Sequence, residues 1–108
     1  DASGGGGGDA IIRTGNCSGA ADWKLKAKAR DGGLEVEWEV DTNRNGQTWT
    51  WQLRRNGNSF ASGTATTRAP SGSFSVERNT GNAPGADTIV GTATNTRTGQ
   101  TCRGVLTV

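Results

Sequence analysis

Residues 41–46 carry the clearest pattern for a chemical site. Their sequence, DTNRNG, places side-chain oxygens at alternate positions and a glycine where a sharp turn would fall, as in the first half of a calcium-binding loop. The candidate ligands are Asp41, Asn43 and Asn45. Against calcium, Gln52 stands where such a loop has a bidentate glutamate, and Arg44 adds a positive charge. Asn and Gly are equally usual in a plain strand connection, so both interpretations stay open.

Aromatic side chains suggest a second chemistry, because an exposed indole can stack on a sugar ring. The chain contains four tryptophans, Trp23, Trp38, Trp49 and Trp51. Each falls on the apolar side of an alternating run, beside residues such as Leu25, Val36 and Leu53. We therefore expect the tryptophans to fill the core of a small domain, with sugar binding as the alternative.

Catalytic groups are scarce in this sequence. The chain has no histidine, which removes the usual general base at neutral pH, and no motif resembles a nucleophile elbow. Glycoside hydrolysis needs a pair of free carboxylates, but Glu35, Glu37 and Glu39 are expected to face lysines across a hairpin. We expect a protein that is not an enzyme and that has no cofactor.

Composition narrows the class of partner. The net charge is +2 and the acidic and basic residues are interspersed, which argues against the basic stripe of a nucleic-acid-binding protein. No run of about 18 apolar residues is present, so we expect no membrane span. The sequence contains no methionine, even at position 1, and we interpret the chain as a processed or truncated product whose targeting segment is gone.

Two consecutive runs alternate with a period of two. Residues 23–30 (WKLKAKAR) alternate apolar and basic, and residues 34–41 (LEVEWEVD) alternate apolar and acidic, which is typical of half-buried strands. Asp31-Gly32 suits a tight turn, and Arg30 then pairs with Gly33. The other pairs in this register are Leu25–Trp38 and Trp23–Val40 on the inner side, and Lys28–Glu35, Lys26–Glu37 and Lys24–Glu39 on the outer side. The outer charges form either a partner-binding face or, in our interpretation, a solvated ladder that fixes the register.

The remaining residues predict five more strands. Residues 48–54 and about 58–67 flank Asn56-Gly57, a strong hairpin signal, and this hairpin would place Phe60 across from Leu53. Three further strands are expected at 73–78, 87–96 and 101–108, with loops at 67–72 and 79–86. We predict an all-β, seven-stranded antiparallel two-sheet sandwich over residues 11–108, preceded by a flexible glycine-rich linker over residues 1–10.

The two cysteines, Cys17 and Cys102, predict one disulfide between the terminal regions and an oxidising compartment. Two buried free thiols are the alternative. A bridge over so long a loop would stabilise the domain by roughly 4–5 kcal/mol in the chain-entropy model.

Three motifs resemble strands of known families. Leu34-x-Val36-x-Trp38 and Trp49-x-Trp51-x-Leu53 resemble the second and third strands of fibronectin type III domains. Residues 89–95 (IVGTATN), followed by Gly99, are similar to the sixth strand of that family and of immunoglobulin domains. The interval from Trp38 to Trp51 also matches the Cys-to-Trp spacing of immunoglobulin domains. The resemblance covers about residues 23–108 and implies a β-sandwich, but it does not imply a function.

The chain also departs from both families. Ile89 stands where they carry a corner tyrosine, positions 38 and 91 cannot form an inter-sheet disulfide, and a bridge between terminal regions is not a standard part of either. Overall the chain resembles small uncharacterised secreted proteins of high-GC bacteria that are built on this fold.

One outward surface of the predicted sandwich is nearly uncharged and rich in threonine. Its main members are Thr48, Thr50, Gln52, Thr92, Thr94, Thr96 and Arg103, with Arg54, Val90, Thr101, Val105 and Thr107 beside them. Threonine is a good strand former on a solvated face. The alternative is a platform that binds a polysaccharide, a protein or ice.

We interpret the chain as a non-catalytic secreted or cell-envelope-associated binding or spacer module. Its expected partner is a protein or polysaccharide at the cell surface, and its expected state is a monomer or a weak homodimer. The alternatives are a carbohydrate- or calcium-associated accessory domain and an inhibitor of an extracellular enzyme that presents loop 67–72 or loop 79–86.

Overall fold

Eight strands build the protein. The computed structural model describes residues 10–30, 33–69, 71–81 and 86–108. The strands are β1 (Ile11–Asn16), β2 (Asp22–Arg30), β3 (Gly33–Asp41), β4 (Thr48–Arg55), β5 (Asn58–Thr66), β6 (Ser73–Gly81), β7 (Thr88–Asn95) and β8 (Thr101–Thr107). The predicted number of seven is wrong, because β1 was missed. The linker predicted for residues 1–10 lies outside the described residues, apart from Ala10.

The strands form two four-stranded antiparallel sheets. Sheet A has the order β1-β2-β3-β6, and sheet B has the order β5-β4-β7-β8. The chain therefore crosses between the sheets after β3, after β5 and after β6. This arrangement confirms an all-β antiparallel sandwich and is compatible with a fibronectin type III-like or immunoglobulin-like fold, with β1 added at one edge of sheet A.

The hairpin of β2 and β3 has the predicted register at every position, from Arg30–Gly33 to Trp23–Val40. Its predicted turn, residues 31–32, lies outside the described residues. The alternation explains this register, because a slip by one residue would turn the charged side chains of β2 and β3 into the core. Lys24 and Lys26, both within the described chain, stand opposite their predicted glutamates but form no ion pair with them.

The turn between β4 and β5 is the predicted Asn56-Gly57. Both residues have positive φ, 50° and 88°, as the favoured two-residue hairpin turn requires. The side chain of Asn56 then fastens this turn to the start of β7. Its Oδ1 accepts a hydrogen bond from the Thr88 amide at 2.8 Å, and its Nδ2 donates to Asp87 Oδ1 at 2.9 Å.

Two local predictions are wrong. Leu53 pairs with Ala61 and not with Phe60, because the β4–β5 register shifts between Leu53 and Arg54. The extra residue of this β-bulge is Phe60, which packs half-buried against the core. Strand β6 also continues to Gly81, into the segment 79–86 that was predicted as a loop.

Glycines make room for the large indoles of the core. Trp38 of sheet A is fully buried, and a Cβ added to Gly91 of sheet B would lie 2.7 Å from two of its ring carbons. The ring of Trp38 therefore lies directly against the backbone of the opposite sheet. Trp51 is 5% exposed and lies against Gly63 of the neighbouring strand, where an added Cβ would be 3.1 Å from the ring.

The two long sides of the sandwich differ. On one side, called here the closed seam, β1 and β2 contact β8, and the predicted Cys17–Cys102 disulfide is present. The half-buried Trp23 fills the same seam, where a Cβ on Gly15 or on Gly104 would lie 2.7 Å or 2.5 Å from its ring. On the other side, called the open seam, the edges of β5 and β6 lie beside a groove of about 460 Å³.

A buried carboxylate ties the chain together at one end of the sandwich. The side chain of Asp87 is fully buried, and its Oδ1 lies 3.7 Å from Arg55 Nη1 and 2.9 Å from Asn56 Nδ2. The backbone of Asp87 exchanges two hydrogen bonds with Val108, at 2.8 and 2.9 Å. Burial of a charge is tolerated here because both a cation and an amide donor face it.

Candidate binding face on sheet B

The outward side chains of sheet B form a continuous surface that we call the threonine face. Strand pairing aligns them in rows, of which one is Thr64, Thr50, Thr94 and Thr101, and the next is Ser62, Gln52, Thr92 and Arg103. Neighbours within a row are about 4.8 Å apart, and successive rows are about 6.8 Å apart along the strands. Thr48 and Thr96 extend the pattern at one end, since the Thr96 amide donates to the Thr48 carbonyl at 3.0 Å. The structure thus places the residues predicted for this face together.

Strand β5 adds a column that sequence reasoning missed. Its outward residues Ser62, Thr64 and Thr66 stand opposite Gln52, Thr50 and Thr48. The signal was present in the sequence, because these polar residues alternate with Gly63 and Ala65. It was overlooked because the inward residues are too small to give a clear apolar alternation.

Several hydroxyl groups of the threonine face are free. Thr96 Oγ1 donates to the Thr48 carbonyl at 3.1 Å, and Thr50 Oγ1 lies 3.5 Å from the Thr94 carbonyl. Within the described residues, the hydroxyls of Thr64, Thr92 and Thr94 have no hydrogen-bond partner. These three side chains can therefore donate to and accept from a ligand without losing an internal bond.

A shallow groove of about 420 Å³ runs across the same surface. The polar side chains that line it are Thr50, Gln52, Ser62, Thr64, Thr92 and Thr94. They come from three adjacent strands, so a ligand in the groove would contact β5, β4 and β7 together. The groove is of a size that takes a sugar unit or a few amino-acid residues.

The threonine face carries positive charge and no acidic side chain. Arg54 Nε donates to Gln52 Oε1 at 2.9 Å, and Gln52 Nε2 donates to Ser59 Oγ at 3.3 Å. Arg103 is exposed at the edge of the groove row. The field of this surface therefore favours a neutral or anionic ligand.

The candidate calcium ligands take part in a turn. Asp41 ends β3, and its Oδ1 accepts a hydrogen bond from the Asn43 amide at 3.1 Å, while Asn43 has a φ of 60°. Asn45 is exposed. Within the described residues, no group of three or more His, Cys, Asp or Glu side chains could hold a metal ion. The geometry explains Asp41 and Asn43 as turn residues, and calcium binding stays a prediction without added support.

The tryptophans do not form a stacking surface. Trp38 and Trp49 are fully buried, and Trp49 Nε1 donates to Gln47 Oε1 at 3.3 Å. The guanidinium carbon of Arg78 lies 5.2 Å from the ring centroid of Trp51, so this cation covers the ring. Trp23 packs on Trp38 with 5.8 Å between ring centroids.

The loops predicted for an inhibitor are described only in part. Pro70 and residues 82–85 lie outside the described residues. Within the part of the chain that is described, no helix is long and apolar enough to cross a membrane.

Comparison with family models, with curated proteins and with solved structures gave no match to this chain.

Proposed function

We propose that this protein is a non-catalytic, secreted or cell-envelope-associated binding module of the immunoglobulin-like class, and that it binds through the threonine face. The observation that carries this proposal is the groove on sheet B, which is lined by hydroxyls from three strands. Thr64, Thr92 and Thr94 are unpaired there among the described residues.

The ligand that fits this chemistry best is an extended polysaccharide of the cell surface, and a protein is the second candidate. A polysaccharide presents hydroxyls at short, regular intervals, and the threonine face presents hydroxyls in rows about 4.8 Å by 6.8 Å apart. Arg103 adds a cation that suits an acidic sugar.

The disulfide supports a location outside the cell. Cys17–Cys102 joins the segment that follows β1 to strand β8, and disulfides persist mainly in oxidising compartments. A domain of this size gains a useful share of its stability from such a bridge.

Hydroxyl removal tests the proposal. Thr64→Val and Thr94→Val keep the β-branched shape and the strand preference while deleting the donor and acceptor. We expect the double variant to bind insoluble cell-wall polysaccharide at least about tenfold more weakly than the wild type, since each lost hydrogen bond is worth about 1 kcal/mol. Co-sedimentation with purified wall polymers measures the affinity.

Thr14→Val is the matched control, because Thr14 is an exposed β1 residue outside sheet B. It should leave binding unchanged. Equal binding by the double variant would refute hydroxyl recognition by this face, and tighter binding would show that the contact is apolar. A loss of binding in Thr14→Val alone would move the site to sheet A.

A further inference from the structure

A cavity of about 400 Å³ lies at the end of the sandwich where β3 leads into β4 and β7 turns into β8. Residues from three segments line it, within 18–21, 42–47 and 95–100. Among the described residues that line it, none is acidic, and the charged one is Arg44. Within the described chain, the cavity shares no lining residue with the groove of the threonine face, so the two are separate places on the molecule.

Asn95 brings a buried amide to the wall of this cavity. The residue is 3% exposed, and its Oδ1 accepts hydrogen bonds from the amides of Arg97 at 2.8 Å and Thr98 at 3.1 Å. These two bonds fix the orientation of the side-chain amide, so Nδ2 points away from the β7–β8 turn. Nδ2 has no hydrogen-bond partner within the described residues, although most buried polar side chains are paired. Its N–H groups are therefore left to donate to a molecule that enters the cavity.

Gln47 and Arg44 add further donors. Trp49 Nε1 donates to Gln47 Oε1 at 3.3 Å, which leaves Gln47 Nε2 as a donor without a partner in the described chain. The carbonyl of Arg44 accepts hydrogen bonds from the hydroxyls of Thr42 and Thr67, and these hold the residue at the cavity wall. The Arg44 side chain is exposed, and its guanidinium forms no hydrogen bond or ion pair with the described residues.

We propose that this cavity binds the carboxylate of a small organic acid, with Arg44 as the charged contact and Asn95 and Gln47 as amide donors. A carboxylate accepts several hydrogen bonds, and the planar guanidinium matches its two oxygens. A single cation suits a monovalent anion better than a doubly charged phosphate or sulfate. The volume is that of a small-molecule site, and Ala20 and Ala21 offer an apolar wall to the carbon atoms of the acid. Acidic sugars and the C-termini of peptides both carry such a carboxylate.

The test is a titration of the ¹⁵N-labelled full chain, followed by nuclear magnetic resonance at the side-chain amides of Asn95 and Gln47. The acid probes are D-glucuronate and N-acetylglycylglycine, and their neutral counterparts are D-glucose and N-acetylglycylglycine amide. At least one acid should shift both signals in a saturable manner, while its neutral counterpart leaves them in place, and the tighter acid identifies the carrier of the carboxylate. The proposal is overturned if neither acid shifts these signals, or if an acid and its neutral counterpart shift them equally. Shifts at the threonine face report separately on the function proposed above.

Two variants test the contacts. Asn95→Asp keeps an oxygen for the amides of Arg97 and Thr98 but replaces the N–H donors with an oxygen that repels a carboxylate. Arg44→Gln removes the cation, and because the Arg44 side chain has no internal partner, this variant should keep the wild-type melting temperature. Each change should raise the dissociation constant of the bound acid at least about tenfold.

The matched control is Arg97→Gln, which makes the same change of net charge at an exposed residue that does not line the cavity. Its dissociation constant should stay within about twofold of the wild type at 0.15 M salt, where distant exposed charges are screened. Wild-type affinity in Arg44→Gln, or an equal loss in Arg97→Gln, would overturn the assignment of Arg44 and with it the proposed site.

Discussion

The Cys17–Cys102 disulfide should supply a large part of the stability of this domain. The two cysteines are 85 residues apart in sequence, so the bridge closes nearly the whole domain in the unfolded chain. The chain-entropy relation for a loop of this length gives about 4.6 kcal/mol at 25 °C. For a domain of this size, we expect the double variant Cys17→Ala/Cys102→Ala to melt about 20–30 °C lower than the oxidised wild type.

The same variant should keep the native fold, because the neighbouring hydrogen bonds do not depend on the bridge. The Ser18 amide donates to the Thr101 carbonyl at 2.8 Å, and the Thr101 amide donates to Ser18 Oγ at 2.9 Å. These bonds hold the segment after β1 to the start of β8. The folded fraction of the variant should therefore give the β-sheet circular dichroism spectrum of the wild type.

Urea unfolding at neutral pH measures the unfolding free energy that the double variant loses. The wild type with its disulfide reduced should show a similar loss, because it also lacks the bridge. Ser18→Ala serves as the control, since it removes only the bond to the Thr101 amide and should cost about 1 kcal/mol. A loss below about 1 kcal/mol in the double variant would refute the entropic reasoning. A changed circular dichroism spectrum of the folded fraction would show instead that the strands of the closed seam need the bridge to adopt their native structure.

Two further predictions concern packing and the β4–β5 turn. Gly91→Ala should lower the unfolding free energy by about 2–3 kcal/mol, because the new Cβ would lie 2.7 Å from the buried ring of Trp38. The control Gly63→Ala, whose Cβ would lie 3.1 Å from the nearest ring atom of Trp51, should cost less than about 1 kcal/mol. Equal losses of unfolding free energy for the two variants in urea would refute the packing argument. Asn56→Gly keeps the positive φ of the turn but loses the hydrogen bonds to Asp87 and to the β7 backbone. Thermal unfolding should therefore show an unfolding free energy lower by about 1–3 kcal/mol. An unchanged melting temperature would contradict this prediction.

The parts of the fold that sequence reasoning predicted are those where a local pattern decides the structure. The β2–β3 register follows from strict alternation, because burying the lysines would cost far more than any gain from a shifted pairing. The Asn56-Gly57 turn follows from two residues that tolerate positive φ. The disulfide follows from a cysteine pair in a short chain without other cysteines.

The parts that it missed depend on tertiary contacts. Strand β1 has a mostly exposed sequence without alternation, and it is held by Trp23, which lies against Gly15, and by the bridge that follows it. The bulge at Leu53–Arg54 cannot be read from β5, because Phe60 and Ala61 are both apolar and either could face inward. The β5 column of the threonine face was missed for a related reason, since Gly63 and Ala65 give little apolar signal.

The two seams of the sandwich differ in how firmly their strands are held together. The closed seam is fixed by a covalent bond and by an indole that fills the space between β1 and β8, so its two strands cannot move far apart while the bridge is intact. The open seam has no such bond, and β5 presents an uncharged backbone edge beside a groove.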